Sequence, residues 1–147
     1  MRAGDLAAPY PTVELSTPVV EAARLMAAEN LPGLIVVDND RPSTILPGTQ
    51  VLRLAVPEYC QDDPALARVI DEPSADVFLR GLGDRTVAES LPREQRELPV
   101  VHPRATVLEI AAVMARTRSP LVAVAEPHGP LLGAITLDAL LDRVLAS

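Results

Sequence analysis

The sequence predicts an α/β (α+β) fold in which one unit, β-α-β-β-α, occurs twice and packs as a pseudo-two-fold module. Two segments that lie 88 residues apart, 19–26 and 107–114, share one helical pattern. Each segment is followed by an apolar run of strand length, at 34–37 and at 121–124. A second strand and a closing helix are predicted after each run, which completes the repeated unit.

The two halves of the repeat align residue by residue in their first helix. Val, Glu, Ala and Met stand at the first, third, fifth and last positions of both 19–26 and 107–114. At the same spacing, Pro32 corresponds to Pro120, and one inserted residue in a later turn changes the spacing to 89. We refer to the two halves as copy one and copy two.

The predicted helix starts carry suitable capping residues. Proline at Thr17-Pro18 suits the first helical position in copy one. Thr106 and Glu109 have the spacing of a capping box in copy two. The remaining predicted elements are first strands at 12–15 and 98–101, and closing helices at 48–55 and 137–145.

The opening helix of each copy is apolar on nearly its whole circumference. Residues 19–28 are apolar except for Glu21 and Arg24, and residues 107–115 are apolar except for Glu109. A helix that lies on one sheet needs only an apolar stripe about 100° wide. We therefore expect these helices to be covered on both faces, by the sheet and by other helices, and we predict a homodimer.

The segment between the copies is acidic. Residues 57–97 contain ten carboxylates and five arginines. Because structureless loops longer than about 12–15 residues are uncommon, we expect an ordered helical insert on the edge of the module. Short helices are predicted at 65–70, 75–82 and 86–91, and Asp63-Pro64 is a suitable start for the first of them.

Composition excludes several classes of function. The net charge of −7 argues against a nucleic-acid-binding protein, because affinity for phosphates depends on clustered positive charge. Cys60 is the only cysteine, so no intramolecular disulfide can form. The chain starts without the apolar run of a signal peptide and has no apolar stretch near the ~20 residues that span a bilayer, which predicts a soluble cytoplasmic protein without direct membrane insertion.

No arrangement of residues argues for catalysis or for a metal. His102 and His128 are distant in sequence, and each lies beside a proline or in a turn, so we assign both to surface or structural roles. Cys60 lies in an acidic setting that disfavours a reactive thiolate. No Ser/His/Asp, Cys/His or paired-carboxylate set has a suggestive spacing, so we predict that the chain is not an enzyme and has no metal site.

The sequence around the second strand of each copy resembles the CBS-domain pair, or Bateman module. The family pattern is Gly-apolar-apolar-Thr-x-x-Asp leading into a helix, and 133–141 in copy two, GAITLDALL, is similar to it. Copy one has TILPGTQVL at 44–52. The resemblance implies CBS repeats at 1–56 and 96–147, joined by an enlarged acidic helical connector at 57–95.

The resemblance also implies a ligand site between the copies, for AMP, ADP, ATP or S-adenosylmethionine. In the family the threonine hydroxyl reaches phosphate or ribose, which points to Thr136, and the aspartate accepts hydrogen bonds from ribose. The position of that aspartate holds Ala139 in copy two and Gln50 in copy one, and Asp138 comes one residue early. The candidate ligand residues are Gly48, Thr49, Gln50, Gly133, Ala134, Thr136 and Asp138.

Each polar candidate has an ordinary structural alternative. Thr136 is suited to capping the closing helix, and Asp138 to a favourable interaction with the helix dipole. Gln50 is suited to a capping or surface role.

Two functions follow from these features. One is a non-catalytic regulatory module that binds an adenosine-type nucleotide or related anionic ligand between the repeats and transmits this through the dimer. The alternative is a ligand-independent interaction module that regulates a partner enzyme or a membrane transporter.

Overall fold

The computed structural model describes residues 1–69, 74–92 and 98–146, and this part of the chain forms a mixed α/β structure. The strands are β1 (Thr12–Glu14), β2 (Gly33–Asp38), β3 (Arg41–Pro47), β4 (Val100–Val101), β5 (Leu121–Val124) and β6 (Gly133–Thr136). The α-helices are α1 (Ala3–Leu6), α2 (Val19–Glu29), α3 (Gly48–Ala55), α4 (Glu58–Asp62), α5 (Ser74–Leu82), α6 (Val87–Ser90), α7 (Val107–Thr117) and α8 (Leu137–Leu145). The predicted β-α-β-β-α order is confirmed in both copies.

The closing helices of the two copies start in the same way. The Gly48 N–H at the start of α3 donates to the Pro32 carbonyl at 2.8 Å. The Leu137 N–H at the start of α8 donates to the Pro120 carbonyl, also at 2.8 Å. Because the two donors are 89 residues apart and the two acceptors 88, these bonds confirm the single inserted residue in the turn of copy two.

The opening helices also end alike. α2 is followed by Asn30 and α7 by Arg118, and both residues adopt the left-handed conformation, with φ of 53° and 55°. A left-handed residue after a helix turns the chain out of it, which here directs the chain toward β2 and β5. Met26 and Met114 are buried, as expected for residues that fill the core.

Each copy contributes one three-stranded sheet. The strand orders are β1-β2-β3 and β4-β5-β6. In the second sheet β4 runs parallel to β5, with Val101 beside Val124, and β5 runs antiparallel to β6, with Leu121 opposite Thr136. Thr136 therefore lies at the end of the β5–β6 hairpin that is away from its turn.

The chain divides into two compact units, which we describe separately. Unit 1 comprises residues 1–12, 35–45 and 96–147, and unit 2 comprises residues 13–34 and 46–95. The boundaries of these compact units differ from those of the predicted repeats, 1–56 and 96–147, and of the predicted connector, 57–95. The units describe packing and the repeats describe sequence similarity, so the repeat boundaries stay a prediction. Residues 70–73, 93–97 and 147 lie outside the described part, and so does the last residue of the predicted helix at 65–70.

In unit 1 the start of the chain packs against copy two. The Ala3 N–H donates to the Ala105 carbonyl at 2.9 Å, and the Gly4 N–H donates to the Pro103 carbonyl at 2.7 Å. Ala3 is completely buried in a core with α7, α8, β5 and β6. No sequence pattern predicts α1, because a four-residue helix has no periodicity to detect.

In unit 2 the connector packs on the helices of copy one. α5 lies against α3 and α2, and α6 lies against the same two helices. α5 approaches α3 closely, because a Cβ atom on Gly81 would lie only 2.5 Å from the Ala55 carbonyl oxygen. Leu82 and Val87 are buried there. Within the described residues the connector thus contains three short α-helices and one 3₁₀-helix, and α5 and α6 cover a helix surface in this unit.

Local differences from the predicted elements have identifiable causes. Pro18 is the cap before α2 and not its first residue, because its ψ of 135° is extended and it forms an isolated bridge with Thr86. The segment Pro64–Val69 is a 3₁₀-helix, whose start is held by an Asp63 carboxylate that accepts from the Ala65 N–H at 3.2 Å. None of the helices in the described residues is both long and apolar enough to cross a membrane.

Candidate functional site

β6 and the first turn of α8 hold four of the candidate residues, and all four lie in unit 1. Gly133 and Ala134 are buried in β6. Ala134 exchanges two backbone hydrogen bonds with Ala8, at 2.9 and 3.0 Å, so the start of the chain closes this edge of the sheet. A Cβ atom on Gly133 would lie 3.0 Å from the Ala8 carbonyl oxygen, so glycine permits this close approach.

Thr136 caps α8. Its Oγ1 accepts a hydrogen bond from the Ala139 N–H at 3.2 Å, and its φ and ψ of −87° and 158° are typical of a cap. A hydroxyl has two acceptor lone pairs and one donor, so the capping bond leaves its proton available to donate. The structural role expected for Thr136 is therefore compatible with a contact to a ligand oxygen.

Asp138 and Ala139 follow in the first turn of α8, and both are exposed. The carboxylate of Asp138 lies near the positive end of the helix dipole, which is the structural role expected for it. Ala139, at the position of the family's ribose-binding aspartate, offers a methyl group in place of an acceptor.

The corresponding junction of β3 and α3 lies in unit 2 and has no side-chain cap. Pro47 precedes the helix, and its side chain makes no capping hydrogen bond. The Gly48 N–H is used by Pro32, and a Cβ atom on Gly48 would lie 3.1 Å from the same carbonyl oxygen. Thr49 is exposed in the first turn.

Gln50 is engaged in a hydrogen bond with the connector. Its Nε2 donates to the Ser90 carbonyl at 2.9 Å, and the Ser90 hydroxyl donates to the Thr86 carbonyl at 2.7 Å. Gln50 therefore ties α3 to α6, and the side-chain oxygen is the group that can accept from a ligand. The structure thus brings Gly48, Thr49 and Gln50 together at one helix start, and Thr136 and Asp138 at another. Gly133 and Ala134 lie further back in β6, where Ala8 covers them.

Unit 1 also contains an open cavity of about 400 Å³, which is not among the sites predicted from the sequence. Arg41, His102, Glu126 and His128 contribute its charged and titratable side chains. A signal for it was present in the sequence, because His102 follows the predicted strand at 98–101 and His128 comes just after the predicted strand at 121–124. Residues that follow neighbouring parallel strands meet at one edge of a sheet.

Within the described residues, no three or more His, Cys, Asp or Glu side chains lie close enough together to hold a metal ion. Cys60, in α4, is a buried free thiol. In the same part of the chain every buried side-chain nitrogen or oxygen atom has a hydrogen-bond partner.

Comparison with known proteins identifies the family. The family model described as CBS domain matches residues 3–46 and 88–146, well over half of the chain. Among curated proteins, no relative matches. A CBS domain-containing protein of unknown function from Kribbella flavida is 49% identical, with a TM-score of 0.90 and 99% of both chains covered.

More distant solved structures share the fold. CBSX2 of Arabidopsis thaliana, solved in complex with AMP, is 19% identical, with a TM-score of 0.69 and coverage of 99% of this chain and 96% of that one. Hypoxic Response Protein I, solved with two coordinated zinc ions, is 20% identical, with a TM-score of 0.64 and 99% of both chains covered. Together with the paired structural repeat, these matches show that the chain belongs to the CBS domain family, as a CBS-domain pair.

Proposed function

We propose that this CBS-domain pair is a non-catalytic regulatory module of the cytoplasm that binds an adenosine-type nucleotide or a related anionic ligand. The observation that carries the proposal is the Thr136 hydroxyl, which caps α8 with an acceptor lone pair and keeps its proton for a ligand oxygen. AMP bound to the related CBSX2 supports the same class of ligand.

The ribose is recognised weakly in this proposal. Ala139 has no acceptor, and the Gln50 amide nitrogen is used by Ser90. Loss of a hydrogen bond to a charged acceptor costs about 1.5–3 kcal/mol, or roughly one to two decades in affinity. We therefore expect Thr136 and the backbone at the start of α8 to favour the phosphate part of the ligand over the ribose part.

Thermal melting tests ligand binding with AMP, ADP, ATP and S-adenosylmethionine. A ligand present at 100 times its Kd should stabilise the protein by about 2.7 kcal/mol. Thr136→Val should lower the stability by about 0.5–2 kcal/mol through loss of the cap and should also reduce the ligand-induced shift. Thr136→Ser should restore both.

Thr106→Val is the matched control. Thr106 caps α7 by accepting from the Glu109 N–H at 3.1 Å, so its loss removes an equivalent cap away from the candidate ligand residues. We expect this variant to lose stability and to keep the ligand-induced shift. The proposal fails if none of the four compounds shifts the melting temperature at millimolar concentration, or if both valine variants lose the shift equally.

Transmission through a homodimer is the second part of the proposal. α7 and α8 present large apolar side chains to solvent, and Leu108 is 80% exposed. A ligand shifts such an assembly only if it prefers one arrangement of the subunits. The exposed apolar residues on these helices are Leu108, Leu137, Leu141, Val144 and Leu145.

Sedimentation velocity tests the dimer. Leu141→Arg places a charge on this apolar surface and should give a monomer, because unpaired charges are not tolerated in an apolar interface. Leu52→Arg is the matched control, since Leu52 is its counterpart on α3, 89 residues earlier, and is similarly exposed, at 49% against 44%. A wild-type chain that stays monomeric at all concentrations, or equal dissociation of both variants, would contradict this part.

A ligand-independent interaction module is the second candidate, with a regulated enzyme or a membrane transporter as partner. The commitment of Gln50 to Ser90 and the methyl group of Ala139 favour it. Deletion of the connector cannot test it, because Leu82 and Val87 belong to the core of unit 2. Co-purification tests it instead. Neutralising the exposed carboxylates of the connector should lower the amount of partner recovered, and unchanged recovery would count against this candidate. The residues to neutralise are Glu58, Asp62, Asp63, Asp76 and Asp84.

A further inference from the structure

The only two histidines of the chain line the same cavity, in unit 1. His102 follows β4 and His128 lies in the turn after β5, and the parallel pairing of these strands brings the two residues to one edge of the sheet. His128 is held in the left-handed conformation, with φ of 59°. The Gly129 N–H closes the turn by donating to the Glu126 carbonyl at 2.8 Å.

Arg41, the first residue of β3, lines the cavity as well. The turn that precedes it is tied to the loop before β6, because the Leu131 N–H donates to the Asp40 carbonyl at 2.9 Å. An arginine guanidinium offers several N–H donors in a planar fork that matches phosphate oxygens.

His102 has a defined hydrogen-bonding state. Its Nδ1 accepts from the Arg104 N–H at 3.0 Å. Because Nδ1 is used as an acceptor within the chain, Nε2 is the ring nitrogen left to donate to a ligand oxygen. The cavity therefore combines the Arg41 guanidinium with two imidazole rings, and Glu126 is the carboxylate that lines it.

The repeat supplies an internal comparison. A second cavity of unit 1, of about 370 Å³, is lined by residues that include Tyr10, Asp40 and Pro130. Asp40 lies 88 residues before His128, and Pro130 lies 89 residues after Arg41, so the basic groups of one cavity are replaced by an acid and a proline in the other. The two related cavities therefore differ in charge.

The chemistry of the first cavity favours an anion. The chain as a whole carries a net charge of −7, which disfavours the approach of anions at long range. This cavity departs from the acidic character of the chain, because it is lined by one guanidinium, two imidazoles and a single carboxylate. The volume of about 400 Å³ lies within the range of small-molecule sites and suits a phosphate group with a small substituent.

We propose that Arg41, His102 and His128 form a phosphate-binding site at the turn end of the strands, and that the cavity around Asp40 does not bind phosphate. This site differs from the one proposed at Thr136. Thr136 pairs with Leu121 at the other end of the β5–β6 hairpin, so the two sites can be tested with separate substitutions.

Nuclear magnetic resonance of the imidazole C–H groups tests the proposal directly, because the chain has two histidines and hence two sets of signals. His102→Gln and His128→Gln assign them. Addition of inorganic phosphate at fixed pH and ionic strength should shift both sets along one saturable curve, and chloride should not. Arg41→Gln should weaken the apparent affinity about 10-fold or more, the loss expected for a hydrogen bond to a charged group.

Three arms separate the alternatives. AMP should reproduce the shifts caused by inorganic phosphate; a response to AMP alone would overturn the claim that the phosphate group is recognised by itself. Thr136→Val should leave the phosphate response unchanged, so failure at Thr136 and failure here are distinguishable. Zn²⁺ should not substitute for phosphate: a response of both rings to Zn²⁺ with none to phosphate would overturn the proposal, and so would an unchanged response in Arg41→Gln. Because Arg41 is exposed, this variant should fold.

Discussion

The helices of copy one and copy two occupy equivalent places in the repeat and are covered differently. In unit 2, α5 and α6 pack on α2 and α3. In unit 1, α7 and α8 leave apolar side chains in solvent. Val144 on α8 is 47% exposed, whereas Ala55, its counterpart 89 residues earlier on α3, is 1% exposed.

This difference shows what the connector does. Both opening helices are apolar on nearly their whole circumference, so covering one face alone would leave apolar side chains in solvent. Copy one satisfies that requirement with a helix of its own chain, and Gly81 permits the close approach. Within the described residues, no connector helix covers α7 and α8 in this way, and several of their large apolar side chains are exposed. The homodimer proposed above would cover this surface, so that two similar sequences would meet one physical requirement by an intramolecular and an intermolecular route.

The largest expected effect is in the core of copy two. Ile110 on α7 is completely buried, whereas Leu108 on the same helix is 80% exposed. Ile110→Ala should reduce the free energy of unfolding by about 2–5 kcal/mol, because it leaves a cavity. Leu108→Ala should change the stability of the monomer by about 0.5 kcal/mol or less. Urea denaturation at concentrations that keep the chain monomeric measures both. Similar losses in the two variants would show that α7 is covered on both sides.

The next largest effect is expected where α5 packs on α3 in unit 2. Gly81→Ala places a Cβ atom 2.5–2.8 Å from backbone atoms of Ala55, and backbone atoms cannot move aside cheaply. We expect a loss of about 1–3 kcal/mol in the free energy of unfolding. Gly129→Ala is a milder control in copy two, with a nearest contact of 3.2 Å. If Gly81→Ala is as stable as the wild type by chemical denaturation, α5 does not pack closely on α3.

A smaller loss of stability is expected from removing the one side-chain hydrogen bond described between α3 and α6. Gln50 ties α3 to α6 through Ser90, and its counterpart in copy two is Ala139. Gln50→Ala should lower the free energy of unfolding by about 0.5–1.5 kcal/mol. Hydrogen exchange of the α6 amides should also become faster, because the contact that holds this short helix is lost. Thr49→Ala, at an exposed neighbour, is the control, and equal effects of the two variants would argue against the tether.

The smallest effect concerns pH. Burial raises the pKa of the Tyr10 phenol above its ordinary value of 10.0 in unit 1. A raised pKa in the folded state means that stability is complete below the unfolded value and falls as the pH rises from about 10 through the folded value. Tyr10→Phe should reduce this alkaline loss. Tyr59→Phe, at an exposed position in α4 of unit 2, is the control, and an identical alkaline slope in all three chains would contradict the prediction.

Much of this fold could be predicted from the sequence because the two copies share residues at matching positions, so that each copy supports the assignment of the other. The closing helices at 48–55 and 137–145 have the predicted bounds, since a proline or threonine cap and a periodic apolar pattern define them. α1 and α4 were missed, because such short helices depend on tertiary contacts more than on local preference. Ala3 illustrates this, since its place in the core depends on residues about 100 positions later.

The candidate site could be predicted in part. The capping role of Thr136 follows from a threonine before a helix, and the structure has that bond. The partner of Gln50 could not be predicted, because Ser90 lies 40 residues away in a connector whose packing no local pattern specifies. The sequence predicts surface or structural roles for the two histidines, and both are exposed. Their position in one cavity could not be predicted, because it depends on the pairing of β4 with β5.

The burial of Ala3 against copy two has a consequence for the order of folding. Unit 1 combines residues 1–12 with residues 96–147, whereas the residues of unit 2 end at 95. Contacts between parts of a chain that are distant in sequence form slowly. We therefore expect the contact of Ala3 with Ala105 to form late, after the shorter-range contacts of unit 2.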